Sequence, residues 1–366
     1  MTLLCGRGGG SGAPVALFPE ARTRHNFSIT APVRKRSWNM MICERVLLSV
    51  RSLMPLCRNM IFLSCFLALM SMSVVTADKI PGIGAIGQIR QLKTGFRFTE
   101  GPAADASGNV YFTDIPNDRI HKLTPDGTLS VFVSPAGTCN GLMVNGDRLL
   151  ACSMEGRLTS FSLVDGTETI LAAEHNRVRF NAPNDLVIDQ SGGIYFTDPR
   201  FRSPDPYPQG MEAVYYRAAD GQVTRVVQNA FAPNGVILSP DEKTLYVVPS
   251  FERRMWAYPV TGHGELGQGQ VFCELAQKQA GGNGGGDGLT IDTNGNLYIT
   301  SALGLQVFNP DGKHLGTITI PETPANVSFA GKNNKTLYVT ARSSLYTVEV
   351  EAQGHVFPGP AASAKN

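Results

Sequence analysis

The stretch Gly281-Gly-Asn-Gly-Gly-Gly-Asp-Gly-Leu-Thr290 places one carboxylate, Asp287, on a glycine-rich approach to a strand. Tyr298 follows eleven residues after Asp287, within Asn-Gly-Asn-Leu-Tyr-Ile-Thr. This second run begins with a turn signal and continues with β-branched and aromatic residues, which predicts a strand. A polar residue, a turn and a strand therefore form one unit, and Asp287 stands at its start.

The same unit recurs six times along the chain. In each copy the leading polar residue lies 10–12 residues before the centre of the following strand. The leading residues are Glu100, Asn140, Asn184, Asn234, Asp287 and Asn326. Further strand-like runs lie between the units, at a spacing that suits four strands per unit. No long segment has the 3.6-residue period of an amphipathic helix.

Six units over about residues 85–352 give roughly 45 residues each, which is the size of a propeller blade. We therefore predict an all-β fold, a six-bladed β-propeller with four-stranded blades. Pairing of the first strand, near Ile86-Gly-Gln-Ile-Arg-Gln91, with the last blade would close the ring and remove its open edge.

The first strand of every blade lines the central channel in such a ring, so the six leading residues are expected to converge at one mouth. They comprise two carboxylates and four amides. Asn before Gly is also common in turns, so each of these residues alone has a purely structural alternative. Six equivalent positions that all bear a side-chain oxygen are harder to explain by turn chemistry.

Composition places the chain among ordinary globular proteins. Of its 366 residues, 42% are hydrophobic and 17% are charged, a balance that can bury a core. The net charge of +2 is unevenly divided, because residues 1–59 carry +7 and the remainder carries −5. The predicted folded part is therefore mildly acidic, which argues against a nucleic-acid partner.

The residues before the repeats are typical of a targeting segment. An apolar run from Met60 to Val75 follows the basic Arg58 and ends at the small residues Thr76-Ala77. We interpret residues 60–77 as a secretory signal peptide. The run is shorter than the roughly 20 apolar residues that a membrane span needs, although an uncleaved anchor is the alternative.

Residues 1 to about 53 show no hydrophobic period. We expect an over-extended translation start, with Met54 or Met60 as the true one, and residues 1–59 not to be part of the mature protein. The predicted mature protein has a propeller at residues 78–355 and a disordered tail at 356–366. We expect it to be periplasmic or secreted, without membrane association after cleavage, and to be a monomer or dimer.

Three cysteines fall in the predicted mature chain: Cys139, Cys152 and Cys273. They match no metal-binding spacing. If Asn145-Gly146 forms a two-residue hairpin turn, Cys139 and Cys152 face each other at a non-hydrogen-bonded position, where side chains approach closely. We therefore predict a disulfide between them, and two reduced cysteines are the alternative.

The polar ring indicates a particular chemistry. Carboxylate and amide oxygens without a His or Cys cluster suit a hard divalent cation such as Ca²⁺ or Mg²⁺. Two facing carboxylates repel each other unless one is protonated or a cation lies between them. A cation with few protein ligands would keep positions for water and substrate, as catalysis requires. The sequence contains no Gly-x-Ser-x-Gly, His-Glu-x-x-His or Walker motif.

Four motifs in order resemble the gluconolactonase / senescence-marker-protein (regucalcin-like) family of six-bladed propellers, and are most similar to its secreted bacterial gluconolactonases. The resemblance covers about residues 90–345. The motifs are Glu100-Gly-Pro102, Arg179-Phe-Asn-Ala-Pro-Asn-Asp185 with Gly193-Ile-Tyr-Phe-Thr-Asp-Pro199, Pro233-Asn-Gly235, and Asp287-Gly-Leu289.

The resemblance implies a set of site residues. Glu100, Asn184, Asn234 and Asp287 would surround one divalent cation, with Ca²⁺ expected and Zn²⁺, Mg²⁺ or Mn²⁺ as alternatives. Asp287 would also be the catalytic proton acceptor. Arg179, Asn184 and Asn140 are expected to contact substrate, while Asn140 and Asn326 line the channel without being fixed metal ligands.

The implied activity is a metal-dependent hydrolase that opens a sugar lactone, with the cation polarising the carbonyl and Asp287 activating water. Relatives that continue Thr-Asp-Pro with Pro-Tyr-Gly differ here, because this chain has Arg200-Phe-Arg-Ser-Pro204. That departure leaves the substrate open, and we expect loops 199–212 and 276–286 to carry specificity. An esterase or lyase of the paraoxonase-like or strictosidine-synthase-like type, and a non-catalytic binding propeller, are the alternative functions.

Overall fold

The computed structural model describes residues 78–359 apart from 280 and 283. The predicted signal peptide, the residues before it and residues 360–366 lie outside this range. Within it, no helix has the length and apolar character needed to cross a membrane. Its helical segments are two short 3₁₀ turns, Ile115–Asn117 and Lys332–Asn334.

The described part of the chain begins with three strands that precede the first blade. A two-stranded sheet pairs β1 (Lys79–Ile80) with β2 (Gly84–Ala85), and β3 (Arg90–Thr94) follows. The first blade consists of β4 (Thr99–Ala104), β5 (Val110–Asp114), β6 (Arg119–Leu123) and β7 (Leu129–Val133). The second consists of β8 (Cys139–Asn145), β9 (Arg148–Ser153), β10 (Arg157–Ser162) and β11 (Glu168–Ala172).

A small hairpin of β12 (Glu174–His175) and β13 (Val178–Arg179) leads to the third blade. That blade consists of β14 (Leu186–Ile188), β15 (Ile194–Asp198), β16 (Ala213–Arg217) and β17 (Val223–Gln228). The fourth contains β18 (Pro233–Leu238), β19 (Thr244–Pro249), β20 (Arg254–Gly262) and β22 (Gln270–Glu274), and the short β21 (Glu265–Leu266) pairs with β20.

The fifth blade consists of β23 (Leu289–Ile291), β24 (Leu297–Ser301), β25 (Gly304–Phe308) and β26 (His314–Ile318). The sixth uses β27 (Pro324–Ala330), β28 (Thr336–Ala341) and β29 (Ser344–Glu349), and its outer strand is β3. All pairings are antiparallel, and strands that are consecutive in a blade are neighbours. The prediction of a six-bladed propeller with four strands per blade is confirmed.

The ring closes by pairing the start of the described chain with its last blade. Strand β3 lies beside β29, with Thr94 opposite Ser344 and Gln91 opposite Tyr346. Ile86 forms an additional bridge to Val350. The predicted closure is therefore present, and it joins the two ends of the propeller through backbone hydrogen bonds.

The aspartates of the hairpin turns serve the core. Tyr111 is fully buried, and its hydroxyl donates to Asp105 Oδ2 at 3.1 Å. Tyr298 repeats this contact in the fifth blade, donating to Asp292 Oδ2 at 3.1 Å. A buried tyrosine hydroxyl needs a partner, and the turn carboxylate supplies it. These aspartates therefore belong to the fold and stay outside the channel site.

Threonines of the Phe-Thr-Asp runs join neighbouring blades. Thr113 Oγ1 donates to the backbone oxygen of Asn140 at 3.1 Å. Thr197 Oγ1 donates in the same way to the backbone oxygen of Asn234 at 2.7 Å. Each bond links the second strand of one blade to the first strand of the next. The backbone at these leading residues is therefore fixed by the preceding blade.

The predicted disulfide between Cys139 and Cys152 is wrong, because both thiols are free and buried. The hairpin turn begins one residue later than expected, since Asn145 pairs with Arg148. A break in register farther along the same strand pair offsets part of this shift, so that Cys139 faces Ser153 and not Cys152. Burial raises the pKa of both thiols, which keeps them protonated at neutral pH.

Candidate active site

The leading polar residues lie at or just before the start of each blade's first strand. Glu100 belongs to β4 and Asn234 to β18, whereas Asp287 lies two residues before β23. The strand pairing shifts register directly after Glu100, and also between Pro233 and Val236. Such irregularities turn a side chain away from the regular sheet direction and are frequent beside active sites.

The glycines that follow the leading residues allow close contact between blades. A Cβ at Gly101 would overlap the backbone oxygen of Asn140, and one at Gly288 would overlap the Asn326 amide. Gly101 also has a φ of +46°, in the left-handed region that favours glycine. The pairs Glu100-Gly101 and Asp287-Gly288 therefore lie where the first strands of adjacent blades meet. They do not form hairpin turns.

Asp287 is held against the fourth blade. Its Oδ1 accepts a hydrogen bond from Asn234 Nδ2 at 2.6 Å, and the same nitrogen donates to Ser250 Oγ at 2.9 Å. The glycine run beside it is fixed in part, because Gly285 N donates to the backbone oxygen of Ser250 at 2.9 Å. A Cβ at Gly285 would overlap the backbone oxygen of Pro249. The run therefore brings Asp287 close to the fourth blade.

Glu100 is buried, with 3% of its surface exposed. Its Oε2 accepts from the backbone nitrogen of Gly101 at 3.0 Å. Burial raises the pKa of Glu100 to about 7, although Gly101 and the Asn326 amide act in the opposite direction. Burial, followed by the nearby charge of Glu100, raises the pKa of Asp287 well above its usual value. The two carboxyl groups thus lie close enough to affect each other.

Asp185 is a third carboxyl group in this cluster, and the sequence analysis did not single it out as a site residue. Burial and then the charge of Glu100 raise the pKa of Asp185 to about 8. The Asn326 amide lowers the pKa of both Asp185 and Glu100 and therefore lies beside both. The sequence did contain a signal for Asp185. Four of the six units have glycine directly after the leading polar residue, whereas the third unit has Asp185 at that position. Gly141 lacks a side chain because the Asp185 carboxyl occupies that space.

The remaining leading amides are fixed through their backbones. Asn184 is buried. Its backbone nitrogen donates to the backbone oxygen of Thr197 at 2.9 Å, and its backbone oxygen accepts from the backbone nitrogen of Gly141 at 2.8 Å. Asn140 is also buried and accepts the Thr113 hydroxyl described above. Both residues therefore lie in the ring of first strands, as the repeat predicts.

Aspartates at the ends of the Phe-Thr-Asp runs fix the loops that enter the first strands. Asp198 accepts the backbone nitrogens of Asn181 at 2.9 Å and Ala182 at 2.8 Å, two bonds just before Asn184. Burial raises the pKa of Asp198 to about 7, while the two nitrogens and the Arg179 charge oppose this. Asp198 therefore positions the approach to Asn184 and does not itself enter the polar ring.

Arg179 lies at the rim of the mouth, outside the polar ring. Its guanidinium packs against Gly156, where a Cβ would overlap it. It borders a cavity of about 370 Å³ that also contacts Met154 and Arg202. Arg179 can therefore meet a substrate only beside the ring, and its predicted role stays a prediction.

The donor set fits a hard cation in its chemistry. It offers carboxylate oxygens from Glu100 and Asp287 and amide side chains from Asn184 and Asn234, without sulfur or imidazole. Among residues 78–359, apart from the two undescribed positions, no group of three or more His, Cys, Asp or Glu side chains is arranged to hold a metal ion. A cation here would consequently depend on two carboxylates supplemented by amides.

Comparison with known proteins places this ring in a family. The sequence model of the SMP-30/gluconolactonase/LRE-like region matches residues 98–343. The chain belongs to this family. The matched range starts two residues before Glu100 and ends in the turn that follows β28, so it contains the whole polar ring.

Individual relatives agree with this assignment. A gluconolactonase from Zymomonas mobilis is 28% identical over 293 residues, which cover 73% of this chain and 82% of that protein. The lactonase drp35 of Staphylococcus aureus is 27% identical over 305 residues, covering 77% and 92%. The solved structure of a gluconolactonase from Xanthomonas campestris is 29% identical with a TM-score of 0.66, covering 73% and 90%. The resemblance that the four motifs indicated is therefore confirmed.

Proposed function

We propose that the protein is a lactonase, a hydrolase that opens a cyclic ester at the polar mouth of the propeller with the help of a divalent cation. The observation that supports this best is the buried cluster of Glu100, Asp185 and Asp287, in which Asp287 is oriented by Asn234. Relatives described as gluconolactonase and lactonase support the same reaction class.

The cation would be held by Glu100, Asn184, Asn234 and Asp287. Ca²⁺ is the first choice, because hard oxygen donors of this kind suit it, and Zn²⁺, Mg²⁺ or Mn²⁺ are the alternatives. The raised pKa values of Glu100 and Asp287 support this assignment, since a bound cation removes the repulsion between two buried carboxylates. Cation affinity should therefore increase as these groups lose their protons.

When bound, the cation supplies positive charge that stabilises the negative charge developing on the lactone carbonyl oxygen. Asp287 accepts a proton from the attacking water as the general base. Asn234 holds one oxygen of Asp287, and Ser250 in turn holds the Asn234 amide. The ring C–O bond then breaks, and the proton passes from Asp287 to the leaving ring oxygen to give a hydroxy acid.

The substrate expected from the sequence is a sugar lactone. Asn140 and Asn184 would contact the lactone from the ring, and Arg179 would contact it from the rim. Arg179 borders the 370 Å³ cavity beside the ring, which gives a substrate room next to this guanidinium.

A pH-stat assay tests the proposed function. The purified mature protein, first treated with EDTA, is supplied separately with Ca²⁺, Mg²⁺, Mn²⁺ or Zn²⁺ and a panel of aldonolactones and simple lactones. We expect acid release that requires one of these cations and is lost in Asp287→Asn. Absence of acid release from every lactone with every cation would contradict the proposal. Faster turnover of aryl esters than of lactones would favour the esterase alternative, and binding without turnover the non-catalytic one.

We also propose that the protein acts outside the cytoplasm, because a signal peptide is predicted at residues 60–77. N-terminal sequencing of the protein recovered from its native host tests this. The expected mature end lies near Asp78. An amino terminus at or before Met60 on the native protein would contradict the proposal.

A further inference from the structure

Three phenylalanines, two of them exposed and Phe201 partly buried, form an aromatic cluster on the loops at one end of the propeller. The rings of Phe201 and Phe251 meet edge to face with their centroids 5.7 Å apart, and Phe231 lies 6.5 Å from Phe251. Phe231 and Phe251 are 54% and 51% exposed. Single exposed apolar residues are ordinary, but a cluster of large aromatic rings in mutual contact marks a surface that binds something.

The cluster belongs to the mouth of the candidate site. Phe251 directly follows Ser250, whose hydroxyl accepts from Asn234. Phe231 precedes Asn234 by three residues, on the loop that enters β18. Phe201 follows β15, the strand whose Thr197 contacts Asn234. All three rings therefore stand on segments that are continuous with the polar ring.

The apolar surface continues around the mouth toward the first blade. Phe201 also packs with the buried side chains of Ile115, Met154 and Ala182, and Phe98 joins the same group. Phe98 lies two residues before Glu100, as Ala182 lies two residues before Asn184. We define the apolar mouth surface as Phe98, Phe201, Phe231 and Phe251 together with the buried Ile115 and Met154, on which Phe98 and Phe201 pack. It spans segments of the first four blades.

The space beside this surface can hold part of a ligand. The cavity of about 370 Å³ at the rim contacts Met154, a member of the apolar mouth surface, and two residues that follow Phe201, Arg202 and Pro204. Its other lining residues are Thr138, Glu155 and Arg179. Hydroxyl groups of a sugar placed against phenyl rings would lose water without gaining hydrogen-bond partners, which is unfavourable. An alkyl or aryl group gains free energy by leaving water for the same surface.

We propose that the preferred substrate is a lactone that carries an apolar alkyl or aryl substituent, and that this substituent lies on the apolar mouth surface while the ester reacts at the polar ring. The inference rests on the proposed lactonase function and specifies its substrate class. It also accounts for the departure at Arg200-Phe-Arg-Ser-Pro204, since that segment supplies Phe201 to the surface.

A matched pair of substrates tests this inference. δ-Valerolactone and δ-decalactone contain the same six-membered ring and differ in one pentyl chain, and glucono-δ-lactone serves as the polyhydroxylated comparison. We expect kcat/KM for δ-decalactone to exceed the value for each of the other two by at least about tenfold, the scale set by a few methylene groups in an apolar site. Most of the difference should appear in KM.

Variants of the surface connect the preference to these residues. Phe251→Ala and Phe201→Ala should each reduce the δ-decalactone to δ-valerolactone ratio of kcat/KM several-fold, and Phe251→Leu should retain most of it. Val271→Ala is the matched control, because Val271 is also exposed on the fourth blade but belongs to its outer strand β22. Its ratio should equal that of the wild type. Thermal melting of each variant verifies folding.

The results separate two kinds of failure. If glucono-δ-lactone is opened as fast as δ-decalactone and the Phe251→Ala ratio is unchanged, the substrate inference is wrong while the lactonase function stands. If no lactone is opened with any cation, the proposed function and the inference fall together. A preference for δ-decalactone that survives in both alanine variants would also overturn the assignment of the surface.

Discussion

Asn234 Nδ2 lies 2.6 Å from Asp287 Oδ1, although 53 residues separate the two positions in the sequence. The contact joins the first strand of the fourth blade to the residue that leads into the fifth. Because the amide nitrogen also bonds Ser250, the Asp287 carboxylate has one oxygen fixed.

Asp287→Asn should abolish most turnover, because the amide cannot accept a proton from water. The expected loss in kcat is about 10²–10⁴-fold, the usual contribution of a general base. Asn140→Ala is the comparison variant: because Asn140 is expected to contact substrate and not to bind the cation or the proton, its loss should raise KM while most of the wild-type kcat is retained. Steady-state kinetics on the best lactone check both. Equal losses in the two variants would refute the special role of Asp287.

The cation-free protein should become less stable as pH rises. Burial raises the pKa of Glu100 to about 7 and of Asp185 to about 8, above the values near 4 that carboxyl groups have in an unfolded chain. Between about pH 4 and pH 8 the folded protein therefore binds more protons than the unfolded one, and its free energy of unfolding falls with rising pH. Urea unfolding in EDTA across this range measures the slope.

A saturating divalent cation should weaken that pH dependence, because it stabilises the ionised carboxylates of the folded state. The same unfolding series with excess Ca²⁺ provides the comparison. Stability that increases with pH in EDTA between about pH 5 and pH 8 would mean that these carboxyl groups are not buried as described.

Gly288→Ala should destabilise the propeller and disturb the ring, since the added Cβ would overlap the Asn326 amide, which lowers the pKa of Glu100 and Asp185. The expected cost is about 1–3 kcal/mol, typical of overpacking. Gly284→Ala is the control, because its Cβ would meet only the Gln277 side chain, at 3.3 Å. Chemical denaturation measures the free energy of unfolding of both variants. Equal stability of the two would show that the fifth and sixth blades do not pack closely at Gly288.

Reducing agent should leave the melting temperature of the mature protein unchanged, because Cys139, Cys152 and Cys273 are free. Their burial should also protect all three from alkylation until the protein unfolds. Mass spectrometry after treatment with iodoacetamide, with and without denaturant, measures this protection. A Cys139–Cys152 linked peptide in the non-reduced digest would contradict the described strand register.

Sequence periodicity was sufficient for the propeller, since six copies of a polar start and a hairpin repeat at blade length. It also found the leading residues, because the first strand of each blade begins at the same point of the repeat. It failed at Cys139 and Cys152, where a shifted turn and a break in register changed the pairing. Strand registers depend on such local irregularities, which hydrophobic alternation does not encode.

Two parts of the candidate site depend on long-range geometry. Asp185 acts in the cluster through Glu100 and Asn326, contacts that only ring closure creates. The apolar mouth surface combines loops from four blades, and Phe201 is separated from Phe251 by a whole hairpin of the third blade and the first of the fourth. Neither grouping has a signature in one continuous stretch of sequence.

The central claim is that Glu100 and Asp287 share one cation at the mouth of the ring. A crystal structure of the mature protein soaked in Mn²⁺, with anomalous diffraction to locate the ion, tests it most directly. We expect one strong anomalous peak within about 2.0–2.6 Å of a carboxylate oxygen from each of the two residues, the range of metal–oxygen distances in such sites. A peak bound elsewhere, or no peak between these carboxylates at saturating Mn²⁺, would contradict the claim.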